Sequence, residues 1–165
     1  KNLLASAAAS GNHALIVIEG VTPRNTFKLD LVERVEVDAK MLEGYMGGEC
    51  HGTSILGYIG CPHASPRELL YITRLLKKYR KPRRGKLLVT MPAEFARIYR
   101  DLVLELKAMG VDIAAGTCPV VSRFRGDFDC IITNSGKALF YLKRIYKTNV
   151  KLAGVEAIVR HLAGA

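Results

Sequence analysis

Apolar residues recur along this chain at periods of about two and about 3.6 residues, and their alternation marks out strands and helices. Leu3 to Ser10 is alanine-rich and helix-prone, and Gly11-Asn12 stops it before the β-branched run Ala14 to Val21, which reads as a strand. Glu33 to Val37 alternates polar and apolar residues as a second strand, and Asp38 can cap a short helix through Tyr45 that ends at Gly47-Gly48. Ile55 to Ile59 is the next apolar run. A turn through Cys61 then leads into a helix from Ser65 to about Tyr79, where Ser65 and Glu68 form a capping box and Pro66 takes the first helical position.

The pattern continues with Lys86 to Thr90 as strand, Ala93 to Met109 as one long amphipathic helix closed by Gly110, and Val111 to Ala115 as strand. Asp129 to Thr133 is a further apolar run, after which Asn134-Ser135-Gly136 opens a helix from Lys137 to about Tyr146. Val150 to Ala153 and a helix from Val155 complete the chain. Strands and helices alternating through short connections predict one α/β domain over residues 1–165, a mostly parallel sheet with helices on both faces. Ligands of such sheets bind at the carboxyl ends of the strands.

Composition supports a folded core, since 49% of the 165 residues are apolar, and this argues against disorder. Asn12-His13 and Pro23-Arg24 bracket the strongest apolar run, so no segment is long enough to span a bilayer as a helix. The opening Lys1-Asn2-Leu3-Leu4 has neither an initiator Met nor the regions of a signal peptide, which reads as a piece of a longer chain. Four cysteines lack the density of a secreted disulfide scaffold and point to a reducing cytoplasm. Cys130 sits inside an apolar strand and reads as core. Cys50 reads as a loop thiol with a minor chance of ligating.

The net charge of +10 fits a nucleic acid, an anionic substrate or a highly charged surface. Eight basic residues between Arg74 and Lys86, with no acid among them, form a stripe. A nucleic-acid reader would interleave aromatics, and Tyr79 stands alone there, so a solvated stripe beside a helix end is the better reading.

Candidate chemistry lies in the loops after the strands. Cys61 and Cys118 each close a strand and open a Pro-containing turn, where backbone N–H groups converge and support a thiolate. Two readings stay open for this pair: a metal or cluster site, or small buried hydrophobes. No C-x-x-C pair is present, which weakens a zinc reading. His63 can meet a substrate oxygen, carry a proton near neutral pH, or bond a backbone carbonyl. Ser135-Gly136-Lys137 offers backbone donors, a hydroxyl and an ammonium for a carboxylate or phosphate, although a helix cap and a surface lysine account for the same tripeptide. Four segments are expected at one sheet edge: Gly20 to Pro23, Gly60 to Ser65, Thr117 to Pro119, and Asn134 to Lys137.

Those four segments, in order, resemble the GVTPE, GCPHAS, TC and NSGK elements of the aconitase X family, the last followed by an aromatic, here Tyr141. The resemblance spans residues 13 to about 155 and matches the C-terminal part of the family's large subunit, whose upstream portion is not in this sequence. It implies an aconitase-like three-layer domain and an iron-sulfur hydro-lyase that removes water from a hydroxy acid. Cys61 and Cys118 match two of the three cluster cysteines, with the third expected upstream, and an iron without a protein thiolate would act as Lewis acid. The resemblance places His63, Ser135 and Lys137 at the reacting groups. It places Thr22, Arg24, Ser65 and Asn134 around the substrate, and a small swivelling subunit, with a serine as the candidate base, as partner. Arg24 departs from the family's Glu and can meet a phosphate. Two substrates are implied by the branches of the family, (R)-5-phosphomevalonate and cis-3-hydroxy-L-proline. The basic balance and the absence of Gln, a thermophile-like trait, favour the doubly anionic phosphomevalonate.

Overall fold

The computed structural model of the chain describes residues 1–23, 33–46, 50–123 and 126–165. Its centre is a sheet of five parallel strands, β1 (Ile55–Ile59), β2 (Lys86–Met91), β3 (Val111–Ala115), β4 (Cys130–Thr133) and β5 (Asn149–Leu152), in the order β3-β2-β1-β4-β5. Central strand β1 pairs Gly57 with Leu87 of β2 on one side and Ile132 of β4 on the other. Every residue of β1 and β4 is buried, as expected where helices cover both faces of a parallel sheet.

Residue parity assigns the layers. Ile55, Ile59, Leu87, Val89, Cys130 and Ile132 point to one face and join a core with α3 (Pro66–Tyr79), α5 (Arg100–Ala108) and α7 (Val155–Ala163). Leu56, Tyr58, Ile131 and Val150 point to the other face and pack on Ala138 and Leu142 of α6 (Gly136–Tyr146), which α1 (Asn2–Gly11) covers in turn. Helix on sheet on helix is the three-layer arrangement expected. The capping box at α3 is formed in full: Glu68 N donates to Ser65 Oγ at 3.3 Å, and Ser65 N donates to Glu68 Oε2 at 2.9 Å. Asp38 caps α2 (Ala39–Met46) by accepting from Met41 N at 2.7 Å.

Three expectations from the sequence are corrected. Residues 14–21 and 33–37 form no strand: Leu15, Val21, Val35 and Val37 are exposed, and Thr22 N instead closes a turn onto Ile18 O. An apolar period marks a face that can be buried, but a strand also needs a ladder neighbour, and no described residue pairs with either segment. The long helix over 93–109 is broken at Tyr99 (φ −104°, ψ 38°) into α4 (Ala93–Ile98) and α5. The break lets α5 lay Val103 and Leu106 onto the sheet while α4 buries no residue fully.

The third correction concerns thiols. Cys50 and Cys130, expected as a loop thiol and a core thiol, form a disulfide with Cα atoms 5.8 Å apart and a sequence separation of 80. Sequence spacing could not reveal it, because the loop before β1 meets β4 only after the sheet is assembled. Closing so long a loop restricts the unfolded chain, so Cys50→Ala should lower the stability of the oxidised protein by about 2 kcal/mol, read from denaturant melts with and without reductant. Reductant should erase the difference between the two proteins. Among the described residues, no helix is long and apolar enough to cross a membrane.

Candidate active site

Sheet order decides where a site can form. From β1 the chain moves through α3 to β2 on one side, while β4 lies on the other side and continues into α6 on the opposite face. The loops leaving the carboxyl ends of β1 and β4 therefore diverge, and the crevice between them is the switch point of the sheet. The first loop carries Cys61 and His63, and the second carries Asn134, Ser135 and Lys137. Strand β3 lies at the far edge, and the described residues that follow it, 116–123, bring Cys118 to the same sheet end. Gly60, Cys61, Pro62, His63, Cys118, Val120, Val121, Lys137 and Tyr141 line one cavity of about 350 Å³.

The first cysteine loop is held from below. Gly60 O accepts from Thr90 Oγ1 at 2.7 Å and from Tyr58 Oη at 3.3 Å, while Ala64 N donates to Thr90 O at 2.8 Å. Tyr58 and Thr90 are both buried, and desolvation holds the Tyr58 phenol far above its ordinary pKa, so it remains a neutral donor. Cys61 is joined to Pro62 by a cis peptide bond and is itself buried. Gly60 at φ +121° sits where a side chain would run into the backbone of Thr90.

The Cys118 loop is tied to the first loop and to α6. His63 Nε2 donates to Thr117 O at 2.8 Å, and the ring lines the cavity. Tyr146 Oη donates to Pro119 O at 3.1 Å, and Ser122 N closes a turn on Cys118 O at 2.8 Å. His63 thus does what its blander reading allowed, bonding a carbonyl, and in doing so it fixes the spacing of the two cysteine loops.

Ser135 caps α6 by accepting from Ala138 N at 3.1 Å and is almost fully buried. It also lies beside the Cys61 thiol. Burial pushes the Cys61 pKa up, the Ser135 hydrogen bond and the Lys137 ammonium pull it back down, and the neighbouring Cys118 adds a smaller upward push, leaving the thiol raised overall. Cap and anion-holding group were alternative readings of Ser135-Gly136-Lys137. The structure shows the cap and also turns Lys137 into the cavity. Beside them, Asn134 Oδ1 and Thr133 Oγ1 are buried without hydrogen-bond partners among the described residues. Buried polar atoms of this kind are costly unless a ligand, water or neighbouring chain satisfies them.

The remaining candidates separate. The Ser65 hydroxyl is spent on Glu68 and does not line the cavity. Thr22 Oγ1 accepts from Ile18 N at 2.8 Å within its own turn, and no described residue of 18–23 lines the cavity. Arg24 lies outside the described residues. Tyr141, noted in sequence only as an aromatic, lines the cavity because it follows Lys137 by one helical turn on α6. Val120 and Val121 carried no sequence signal at all. In the basic stripe, Lys77 pairs with Glu105 at 2.8 Å and Lys78 with Glu156 at 3.1 Å, as a solvated helix end would.

The donor set fits part of an iron-sulfur site. Cys61 and Cys118 are the free cysteines, they share one cavity, and Cys61 feels the charge of Cys118. Burial raises the Cys61 thiol, and a hydroxyl donor and an ammonium offset part of that rise. No group of three or more His, Cys, Asp or Glu that could hold a metal is present among the described residues, so the pair is an incomplete ligand set.

Comparison with known proteins agrees with this geometry. Residues 54–164 match the aconitase X third domain. The phosphomevalonate dehydratase large subunit of Methanosarcina mazei is 28% identical over 99% of this chain and 41% of its own length. That of Aeropyrum pernix is 34% identical over 96% of the chain and 40% of its own length. The crystal structure of the holo-form of Thermococcus kodakaraensis aconitase X superposes with a TM-score of 0.81 at 30% identity, covering 98% of this chain and 43% of that one. The chain therefore spans about two fifths of the length of the relatives it matches. A five-stranded parallel domain with its two free cysteines at the switch point, matched over residues 54–164, belongs to the aconitase X family.

Proposed function

We propose that this chain is the third-domain portion of a phosphomevalonate dehydratase large subunit, which removes water from (R)-5-phosphomevalonate to give anhydromevalonate phosphate in isoprenoid biosynthesis. The observation that carries this reading is the switch-point cavity, where Cys61, Cys118, His63 and Lys137 meet. The full enzyme requires the upstream portion of the large subunit, with a third cysteine, and a small swivelling subunit. The relatives' names favour phosphomevalonate over cis-3-hydroxy-L-proline as substrate. The paired lysines of the basic stripe speak against a nucleic-acid module. The cytoplasm remains the proposed compartment: disulfides occur inside hyperthermophile cells, and the Gln-free composition is of thermophile type.

Cys61 and Cys118 would hold the cluster, which supplies Lewis acidity toward the substrate hydroxyl when bound. Around them the chain's own groups divide the work. Lys137 brings a positive charge to the cavity wall for the carboxylate or phosphate of the substrate, and the same charge steadies Cys61 as thiolate. Ser135 donates to the Cys61 sulfur and is fixed in turn by its bond from Ala138 N. With Nε2–H oriented on Thr117 O, His63 can accept at Nδ1 from a substrate hydroxyl. Asn134 Oδ1, buried and unpaired among the described residues, can accept from a substrate hydroxyl. Val120, Val121 and Tyr141 supply apolar surface to the cavity wall.

The test is a steady-state assay on the complete enzyme, reconstituted anaerobically. Wild type should turn over (R)-5-phosphomevalonate and leave cis-3-hydroxy-L-proline untouched. Lys137→Ala should lower kcat/KM by about a hundredfold with most of the visible absorbance retained, the size expected for one lost charge-assisted contact. Turnover of the proline substrate, or an unaltered kcat/KM in the variant, would overturn the assignment.

A further inference from the structure

A second cavity, of about 480 Å³, lies along edge strand β5 and the C-terminal end of α7, and nothing in the proposed dehydration uses it. Its lining brings Arg84, Lys151, Arg160, His51 and His161 together from four separate stretches of the chain. Among the described residues, no Asp or Glu side chain lines it, and Ala165 also borders it. Among the described residues, Arg84, Lys151 and Arg160 make no side-chain hydrogen bond or salt bridge. Glu156, which feels the Arg160 charge, is itself bonded to Tyr79 at 2.6 Å and to Lys78 at 3.1 Å. His161 Nε2 is buried and has no hydrogen-bond partner among the described residues.

Part of this charge has a local explanation. Arg160 and His161 sit in the last turn of α7, where cations offset the helix dipole. That does not account for Arg84, which precedes β2, or for Lys151 on β5. Three unpaired cations around one cavity repel one another, and an oxyanion between them relieves that repulsion while giving His161 Nε2 a partner. A volume of about 480 Å³ is in the range of small-molecule sites and exceeds the needs of a lone ion. We infer that this cavity binds a small phosphorylated molecule, with Arg84 and Arg160 on the phosphate oxygens and Lys151 and His161 closing the site. Cys50, disulfide-bonded to Cys130, forms part of its wall, which keeps His51 in place.

Equilibrium dialysis of radiolabelled inorganic phosphate against the complete enzyme tests this, because the two cavities can be switched off independently. Wild type should bind two phosphates per large subunit, and Lys137→Ala should remove the one at the switch-point cavity. In the Lys137→Ala background, adding Arg84→Gln and Arg160→Gln should weaken the remaining site at least about tenfold, as loss of charge-assisted hydrogen bonds does. Lys151→Met should weaken it with thermal melting unchanged, which guards against misfolding as the cause. On the otherwise wild-type enzyme, the Arg84→Gln/Arg160→Gln pair should leave dehydration rates as they were. Failure of the substrate assignment alone would reduce the wild-type stoichiometry to one phosphate, still lost with the two arginines. Phosphate binding unaffected by the arginine and lysine variants would overturn the inference. So would cross-linking that finds the cavity filled by an acidic segment from the rest of the protein.

Discussion

Cys61→Ser and Cys118→Ser should each leave the assembled enzyme with little or none of its visible iron-sulfur absorbance and cut dehydration by about a thousandfold or more. The magnitude follows from what a bound metal contributes as Lewis acid, several kcal/mol of barrier, at about 1.4 kcal/mol per decade of rate. Both cysteines are free, both line the switch-point cavity, and each is set in a loop pinned by its own hydrogen bonds. Serine preserves the shape of the site, so circular dichroism and melting should change little. The parallel variant Cys50→Ser should retain the cluster, because Cys50 is disulfide-bonded and lies against the other cavity. Anaerobic reconstitution followed by absorbance and iron counting makes the comparison. Full cluster content in Cys61→Ser or Cys118→Ser would remove these residues from the ligand set.

Gly60→Ala is expected to be strongly destabilising. The added Cβ would lie within 2.5 Å of Thr90 Oγ1 and 2.8 Å of Thr90 N, and closer still to the Thr90 carbonyl oxygen. Thr90 is a buried residue of β2, so it cannot move aside without tearing the ladder. A φ of +121° is also a region that side-chain-bearing residues rarely adopt. Together these should cost about 2–6 kcal/mol, from backbone strain of about 1–3 and overpacking of about 1–3. Denaturant melts measure the loss, and cluster retention measures its functional side, since Gly60 O anchors the loop that carries Cys61. Gly154→Ala makes the control: no atom stands within 4 Å of its added Cβ, and its stability should stay within about 0.5 kcal/mol of wild type. Equal stabilities for the two variants would contradict the close packing described at Gly60.

Much of this was readable from residues alone. The elements from β1 to α7 follow from apolar period, caps and breakers acting over a few residues, and Ser65 with Glu68 forms the box that its spacing announces. The four polar segments were also visible, along with the family they resemble. Local reading failed where the outcome depended on a partner. Residues 14–21 carry a strand's pattern without a ladder neighbour, and Tyr99 interrupts a continuous apolar period so that α5 can lie on the sheet. The hydroxyl of Ser65, expected near the substrate, is engaged by its own helix cap.

The amino-acid sequence by itself determined the α/β class, the cysteine-bearing turns, and the hydroxyl and ammonium at the start of α6. Each of these depends on contacts within about a helical turn or a strand length, which neighbouring residues specify directly. Tertiary structure decided which of those groups meet. The order β3-β2-β1-β4-β5 puts the loops after β1 and β4 on either side of a crevice, and the residues after β3 come to the same sheet end, so Cys118 reaches Cys61 from the far edge of the sheet. It also joined Cys50 to Cys130 and gathered Arg84, Lys151 and Arg160 around a second cavity. Those encounters link residues tens of positions apart, and sequence periodicity carries no record of them until the sheet is assembled.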